Sequence, residues 1–418
     1  MKLTLGSSDS NGPGKSGHQP ESGYPPSHHA CRIAGKKVST LLQENAISIR
    51  RMVLEGSEPA AWGLQHGETL REEIKRAYEV RLELVLQKTD LRNEAEALSL
   101  CRLHEPILQQ FDGALHAEMN GIATGSTLSL AQVILLNHYT DLRDLRRHHL
   151  DEAQEKGVDD GDQGCSVIFS PGADGLFLGQ TWDMHGSATD FVWLLDIPTS
   201  VTARDGTHLE GRTLLFTLAG CVGMTGATSW GLGMTINNLN SLDARIGIVW
   251  PALVRRTLRC ATARQARDVI LQAPLGSGHH YVVADTEDLF GIETSGTQKK
   301  ITQQGIEQTH LHTNHCLHED MRDTCRILPT STTEARYQTL VDKTRSQPVA
   351  SLEDMWTLLG SVSNPRSEAE AHAVATCGAF CMNLSSRVVW ACQGPPGTAH
   401  QAGSLPQRFD LGPRPEAS

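Results

Sequence analysis

The apolar period of this chain changes from about four residues to about two at an acidic run. Before it, Leu70, Ile74, Tyr78 and Leu82 recur every fourth position in a stretch rich in Glu, Arg and Leu, and Leu98 to Phe111 continues in that style. Ser129 with Gln132 makes a capping-box start ahead of the stripe Leu130, Val133 and Leu136. Asp151 to Asp162 then carries six acids, one Lys and two Gly without an apolar period, which predicts an exposed loop. Beyond it Cys165–Ser170, Leu176–Trp182, Phe191–Ile197, Thr213–Leu218 and Gly231–Asn237 are predicted strands. Val249–Gln272 is predicted as one helix with Pro251 in its first turn. Tyr281–Ala284 and Leu289–Glu293 form a hairpin, Ser351 with Asp354 opens a further helix, and Ala379–Leu384 with Val388–Cys392 form a last hairpin. Strands in blocks, then helices, then strands predict stacked layers with antiparallel sheets, an α+β fold, not an alternating parallel one.

Composition narrows the classes. Residues 1–30 hold five Gly, six Ser and four Pro, and cannot bury enough surface to offset their ordering entropy. The expected division is a disordered tail over 1–40, a helical segment over 41–164 and a β-rich segment over 165–418. With 37 basic and 48 acidic side chains the net charge is −11, against a nucleic-acid footprint or a polybasic membrane patch. No apolar run is long enough to span a membrane, and the first residues have no secretory core. The last four, Pro-Glu-Ala-Ser, are not a peroxisomal address, so cytoplasm is the expected location. Ten cysteines are too sparse for a disulfide scaffold in this length. No Gly-rich phosphate loop of the expected spacing occurs.

Gly164-Cys165 sits where the acidic loop meets the first strand. A thiol at a strand edge beside such a loop is expected to be reachable, and a preceding Gly tolerates strained backbone angles. A Cys that only fills space at a strand start is the plainer reading of the same residues. Further on come Gly179-Gln180-Thr181-Trp182-Asp183, Gly231 to Asn238, Phe290-Gly291-Ile292-Glu293 and His312-Thr313-Asn314-His315-Cys316-Leu317. The helical half adds Leu54-Glu55-Gly56 through Gln65-His66-Gly67, Glu118 to Ala123, and Leu136 to Asp144. In this order and spacing the motifs resemble the penicillin acyltransferase family, acyl-coenzyme A:isopenicillin N acyltransferase and its relatives, over about residues 50–395.

The resemblance implies a four-layer αββα N-terminal-nucleophile hydrolase sandwich with a helical pro-segment. It implies an autoproteolytic cysteine amidohydrolase or acyltransferase, cut between Gly164 and Cys165, whose two chains stay associated. Cys165 would be the nucleophile, with its new α-amine as base; Asp183 would orient the Cys165 end, and Asn314 would donate to the oxyanion. Asn237, His312 and Glu293 are candidate pocket residues. Asp183 read alone also fits a turn after a strand, Asn314 a loop cap, and Asn237 a strand-end turn. The implied substrate is a small-molecule amide or acyl donor, and acyl transfer through a terminal Cys needs no metal or other cofactor. His310, His312, His315 and His318 with Cys316 match no standard zinc spacing. The family's arginine before the last hairpin is missing from His372 to Gly378, and Arg245 and Arg387 are the candidates to replace it. Two other readings remain: an unprocessed papain-like enzyme pairing Cys165 with His312 or His315, and an inactive binding protein of the same fold.

Overall fold

Two sheets facing each other, antiparallel apart from one short strand, carry the core, and helices cover both outer faces. The computed structural model describes residues 48–146, 164–366, 373–397 and 403–415. The predicted tail and the acidic loop lie outside the described residues.

The helical segment opens with a short strand, β1 (Arg51–Val53), and continues through α1 (Pro59–Thr69), α2 (Arg71–Lys88), α3 (Glu94–Arg102), α4 (Glu105–Phe111), α5 (Gly113–Ser126) and α6 (Leu130–Arg146). The capping box at Ser129 forms as expected: Gln132 N–H donates to Ser129 Oγ, and Ser129 N–H donates to Gln132 Oε1. Helices α1 and α5 touch backbone to backbone. A Cβ on Gly63 would lie 1.9 Å from the Glu118 carbonyl oxygen, and one on Gly121 2.3 Å from that of Ala60. Glycine is needed there for close approach, which gives a packing reason for two of the pro-segment motifs.

The β-rich segment supplies β2 (Ser166–Gly172), β3 (Gly175–His185), β4 (Val192–Thr202), β5 (His208–Leu218), β6 (Thr225–Thr228) and β7 (Gly233–Ser241). After them come α7 (Trp250–Thr257), α8 (Ala263–Gln272), β8 (Gly278–Ala284), β9 (Leu289–Thr294), β10 (Lys299–Gln304), β11 (His310–His312) and β12 (Cys325–Arg326). The chain ends in α9 (Thr333–Ser346), α10 (Leu352–Gly360), β13 (Val374–Asn383), β14 (Val388–Gln393) and β15 (Gln407–Asp410). One sheet runs β1-β4-β5-β6-β7-β8-β9-β10 with β12 on β7; the other runs β11-β2-β3-β13-β14-β15. Among these strands of the described residues only β1, contributed by the helical segment, pairs in parallel, with β4.

Strands β2, β3 and β13 explain their near-continuous apolar sequence by burial on both faces. Val167, Phe169, Leu178, Phe380 and Met382 point into the core between the sheets. Ile168, Phe177, Ala379 and Cys381 point the other way, against Leu340 of α9 and Met355 and Leu359 of α10. On the far side, α8 packs on β8 and β9. The layers are therefore helix, sheet, sheet, helix, and the helical and β-rich segments share one compact unit, residues 47–418. No single helix among the described residues is long and apolar enough to cross a membrane.

The single helix expected over Val249–Gln272 is two. The chain breaks after Thr257, and Thr262 starts the second helix by accepting the Gln265 N–H on its side chain. Thr at an N-cap satisfies one of the first free N–H groups, so the restart is favoured without any Gly or Pro.

Candidate active site

Cys165 precedes β2 at the inner end of the sheet interface, and both its main-chain polar groups are held by side chains. Its N–H donates to Asn314 Oδ1 at 2.8 Å. Its carbonyl oxygen accepts from Asn237 Nδ2 at 2.9 Å and from Arg336 Nη1 at 3.0 Å. The same guanidinium reaches Ser166 Oγ at 3.0 Å and, through Nη2, Asn314 Oδ1 at 2.9 Å. Three elements converge here: β7 brings Asn237, the turn after β11 brings Asn314, and α9 brings Arg336.

Asp183 arrives on β3. Its Oδ1 accepts from Thr376 Oγ1 at 2.6 Å, and a bulge in β13 makes that contact, because the pairing with β3 slips by one residue between Thr376 and Gly378. Burial raises the Asp183 carboxyl to about 6, against the pull of Arg336 and of the Thr376 and Thr181 hydroxyls. Burial, and then the Asp183 charge, push the Cys165 thiol up to about 12. The Asp183 main-chain N–H, Arg336 and Gln180 act in the opposite direction.

The structure thus brings Cys165, Asp183, Asn314 and Asn237 together. It differs from the sequence expectations in four places. Cys165 is 2% exposed, not reachable, because Arg81 of α2 with Tyr139 and Thr140 of α6 joins Trp182, Met184 and Trp250 around a cavity of about 20 Å³ at the thiol, room for about one water. Gly164 has a packing role that the sequence did not suggest. A Cβ there would lie 2.9 Å from Arg336 Nη2 and 3.3 Å from Asp183 Oδ2. The residue must be Gly so that the cation and the carboxylate can flank the bond. Gly164→Ala is expected to displace Arg336 and slow any cleavage at this bond by about 10-fold or more, read as the appearance of a fragment by intact mass.

The third difference is the cation. Neither Arg245, whose Nε donates to the Leu275 carbonyl, nor Arg387, whose Nε donates to Gly412, is hydrogen-bonded to Cys165, Asp183 or Asn314; Arg336 occupies that place. Its signal was an arginine in the buried stripe Thr333, Arg336, Leu340 of α9, where an apolar residue belongs. The fourth concerns Asn314, whose Nδ2 donates to the Asn238 carbonyl at 2.9 Å while its oxygen faces the Cys165 nitrogen.

His312 and His315 do not hydrogen-bond Cys165. His312 lies between Asn237 and Glu293, and His315 meets Thr313 and Thr333, so the geometry gives a papain-like pair no support. Among the described residues no three His, Cys, Asp or Glu are arranged to hold a metal. His310 faces His280 across 3.1 Å, and Cys316 lies against Cys325 instead.

A family model described as acyl-coenzyme A:6-aminopenicillanic acid acyl-transferase matches residues 170–397. Asp183, Asn237, Asn314 and Arg336 lie inside that match, and Cys165 just before it. The 40 kDa form of acyl-coenzyme A:6-aminopenicillanic-acid-acyltransferase from Emericella nidulans is 24% identical over 263 residues, covering 62% of this chain and 67% of that protein. Among solved structures, a mutant of conjugated bile acid hydrolase from Clostridium perfringens aligns with a TM-score of 0.41 and 10% identity, over 61% of this chain and 96% of that one. Penicillin V acylase from Agrobacterium tumefaciens aligns with a TM-score of 0.42 and 13% identity, over 59% and 86%.

Proposed function

The chain belongs to the acyl-coenzyme A:6-aminopenicillanic acid acyl-transferase family, enzymes of the N-terminal-nucleophile class, and from that premise we propose that it cuts itself at Gly164–Cys165 and then moves acyl groups through a Cys165 thioester. The observation that carries the reading is the clamp on Cys165: its nitrogen on Asn314, its carbonyl on Asn237 and Arg336, with Asp183 beside the preceding bond.

In the uncut chain the Cys165 sulfur adds to the Gly164 carbonyl carbon. The C–S bond forms as the C–N bond breaks, and the thiol proton passes by way of the Asp183 carboxylate to the departing nitrogen. Water then hydrolyses the thioester, leaving Gly164 as a carboxylate and Cys165 with a free α-amine. Asn314 Oδ1, already an acceptor for that nitrogen, holds the amine so that its lone pair takes the thiol proton in later turnovers. An amide substrate acylates the sulfur and releases its amine, and water or a second amine receives the acyl group. Asn314 Nδ2, on the Asn238 carbonyl in this form, is the donor we assign to the oxyanion. The substrate is a small-molecule amide or acyl donor, the setting cytoplasmic, and the two chains remain together.

The test is acid quenching during turnover of simple N-acyl amino acids and acyl amides, followed by intact mass. The expected product is the 165–418 fragment carrying one acyl group on its first residue; a turning-over protein with no such adduct would discard the reading. A pH series checks the base. The first-order self-cleavage rate should fall about tenfold per unit as pH drops below about 6, where Asp183 takes up its proton. Stability runs the opposite way for this group. Its folded value is raised, so its contribution is full below the ordinary carboxyl range and is lost as pH rises through about 6.

A further inference from the structure

Behind Asn237 lies a chain of buried polar groups that the acyl-transfer scheme does not use. Asn237 Nδ2 is committed to the Cys165 carbonyl, so its oxygen is the atom that faces the histidines. His312 Nδ1 meets that oxygen at 3.1 Å and His280 Nδ1 at 3.3 Å. An amide oxygen only accepts, so both ring nitrogens carry hydrogen. The other nitrogen of His312, Nε2, meets Glu293 Oε1 at 3.1 Å. That carboxyl also accepts the main-chain N–H of Leu317 on Oε1 at 2.6 Å and of His318 on Oε2 at 3.1 Å. Both main-chain partners of Glu293 are donors, which suits an ionised carboxylate, and both Glu293 and His312 are fully buried. A buried carboxylate needs a cation, and His312 is its ion-pair partner.

His280 completes the logic from the other side. With its Nδ1 hydrogen on Asn237, its Nε2 is left to accept from His310 Nε2 at 3.1 Å, and the ring is neutral. It stacks on His312 with centroids 3.5 Å apart and planes 10° from parallel, a neutral π-face under a charged ring. Burial, then the His312 charge, then His310 hold His280 well below the ordinary histidine range; burial, then His312, bring His310 to about 3. His315, beyond the far face of His312, is lowered to about 4 by burial and then by His312, with Arg336 and Arg322 adding in the same direction.

We propose that His312 is a positioning residue for Cys165: doubly protonated, with Glu293 as counter-ion, it fixes the Asn237 amide so that Nδ2 points at the Cys165 carbonyl. The role depends on the reading of Cys165 as the nucleophile, and it deepens that reading. Were His312 to lose its Nδ1 hydrogen, its lone pair would face the Asn237 oxygen, and the amide would be held only by its own bond to the Cys165 carbonyl and by His280. Glu293 is then what keeps the nucleophile oriented at neutral and alkaline pH.

The test compares native protein with Glu293→Gln across pH 5.5–8.5, reading acyl transfer as kcat/KM. If the carboxylate is what keeps both ring nitrogens of His312 protonated, the ratio of native to variant rate should rise about 10-fold or more from the acid to the alkaline end. The loss should fall on kcat more than on KM. A ratio constant across pH overturns the proposal, because a merely structural Glu293 lowers the rate equally everywhere. Folding of the variant is not required for the second measurement. In ¹⁵N-histidine-labelled Cys165→Ala protein, two-bond ¹H–¹⁵N spectra should show His312 protonated on both nitrogens at pH 7.5, the resonance being identified by its loss in Cys165→Ala, His312→Gln; a neutral tautomer overturns the proposal. Failure of the Cys165 reading looks different: a native protein that stays uncut and forms no acyl adduct, whatever the state of His312.

Discussion

Cys165→Ala is expected to remain one chain of 45.5 kDa, while the native protein separates under denaturing conditions into residues 1–164 and 165–418. The substitution removes the atom that attacks the Gly164 carbonyl and leaves the clamp from Asn314, Asn237 and Arg336 intact, since that clamp grips main-chain atoms only. The fold should therefore survive with an unchanged thermal midpoint, and acyl transfer should drop at least about 10³-fold. Cys165→Ser separates the two roles of sulfur. A hydroxyl in the same position is the weaker nucleophile, so cleavage should slow without disappearing, and the cut fragment should still begin at residue 165. A native protein that is active as a single chain would remove the proposed mechanism altogether.

Arg336→Ala carries the second large effect. One guanidinium serves the Cys165 carbonyl, Ser166 Oγ and Asn314 Oδ1, and its charge lies near the buried Asp183 carboxylate. Truncation leaves three acceptors short of a donor and a buried carboxylate short of a cation, and kcat/KM should fall about 10²–10³-fold. The pH dependence should move as well. Without Arg336 the Asp183 carboxyl rises further above about 6, so the acid limb of the rate profile shifts to higher pH. Arg336→Lys should restore the position of that limb in part and little of the rate, because an ammonium supplies charge but cannot span three acceptors with a fixed fork. A limb that stays in place in Arg336→Ala, with the protein folded by circular dichroism, would count against electrostatic coupling between the two groups.

The layered fold was legible because its strands and caps obey local rules. The alternation through Val167, Ile168 and Phe169 sends successive side chains to opposite faces, and Ser129 with Gln132 and Ser351 with Asp354 mark helix starts where they occur. Elements whose partners lie far away in sequence were not legible. Strand β10 reads Lys-Lys-Ile-Thr-Gln-Gln, half-exposed on both sides, and exists because β9 offers it a ladder. Strand β1 is three residues long and owes its conformation to β4. At the site, Cys165, Asp183, Asn314 and Asn237 were named from their motifs, yet Arg336 was not. Its place at the centre depends on the packing of α9 over β11, which no local pattern encodes. Thr376 escaped notice for a related reason, since only the bulge in β13 turns it toward Asp183.

Strand β1 has one more implication. While the chain is whole, its pairing with β4 and the burial of the helices are intramolecular, and the loss of freedom on forming them is limited by the tether. Cutting at Gly164 would abolish that tether without moving an atom of the sheet. The native arrangement would then be a two-body complex, its regain after unfolding dependent on dilution and its edge strand supplied by a separate molecule. Such a protein folds once: denaturation of the cut form would be a loss that cooling or removal of urea does not reverse, and its persistence would be set by how slowly it opens.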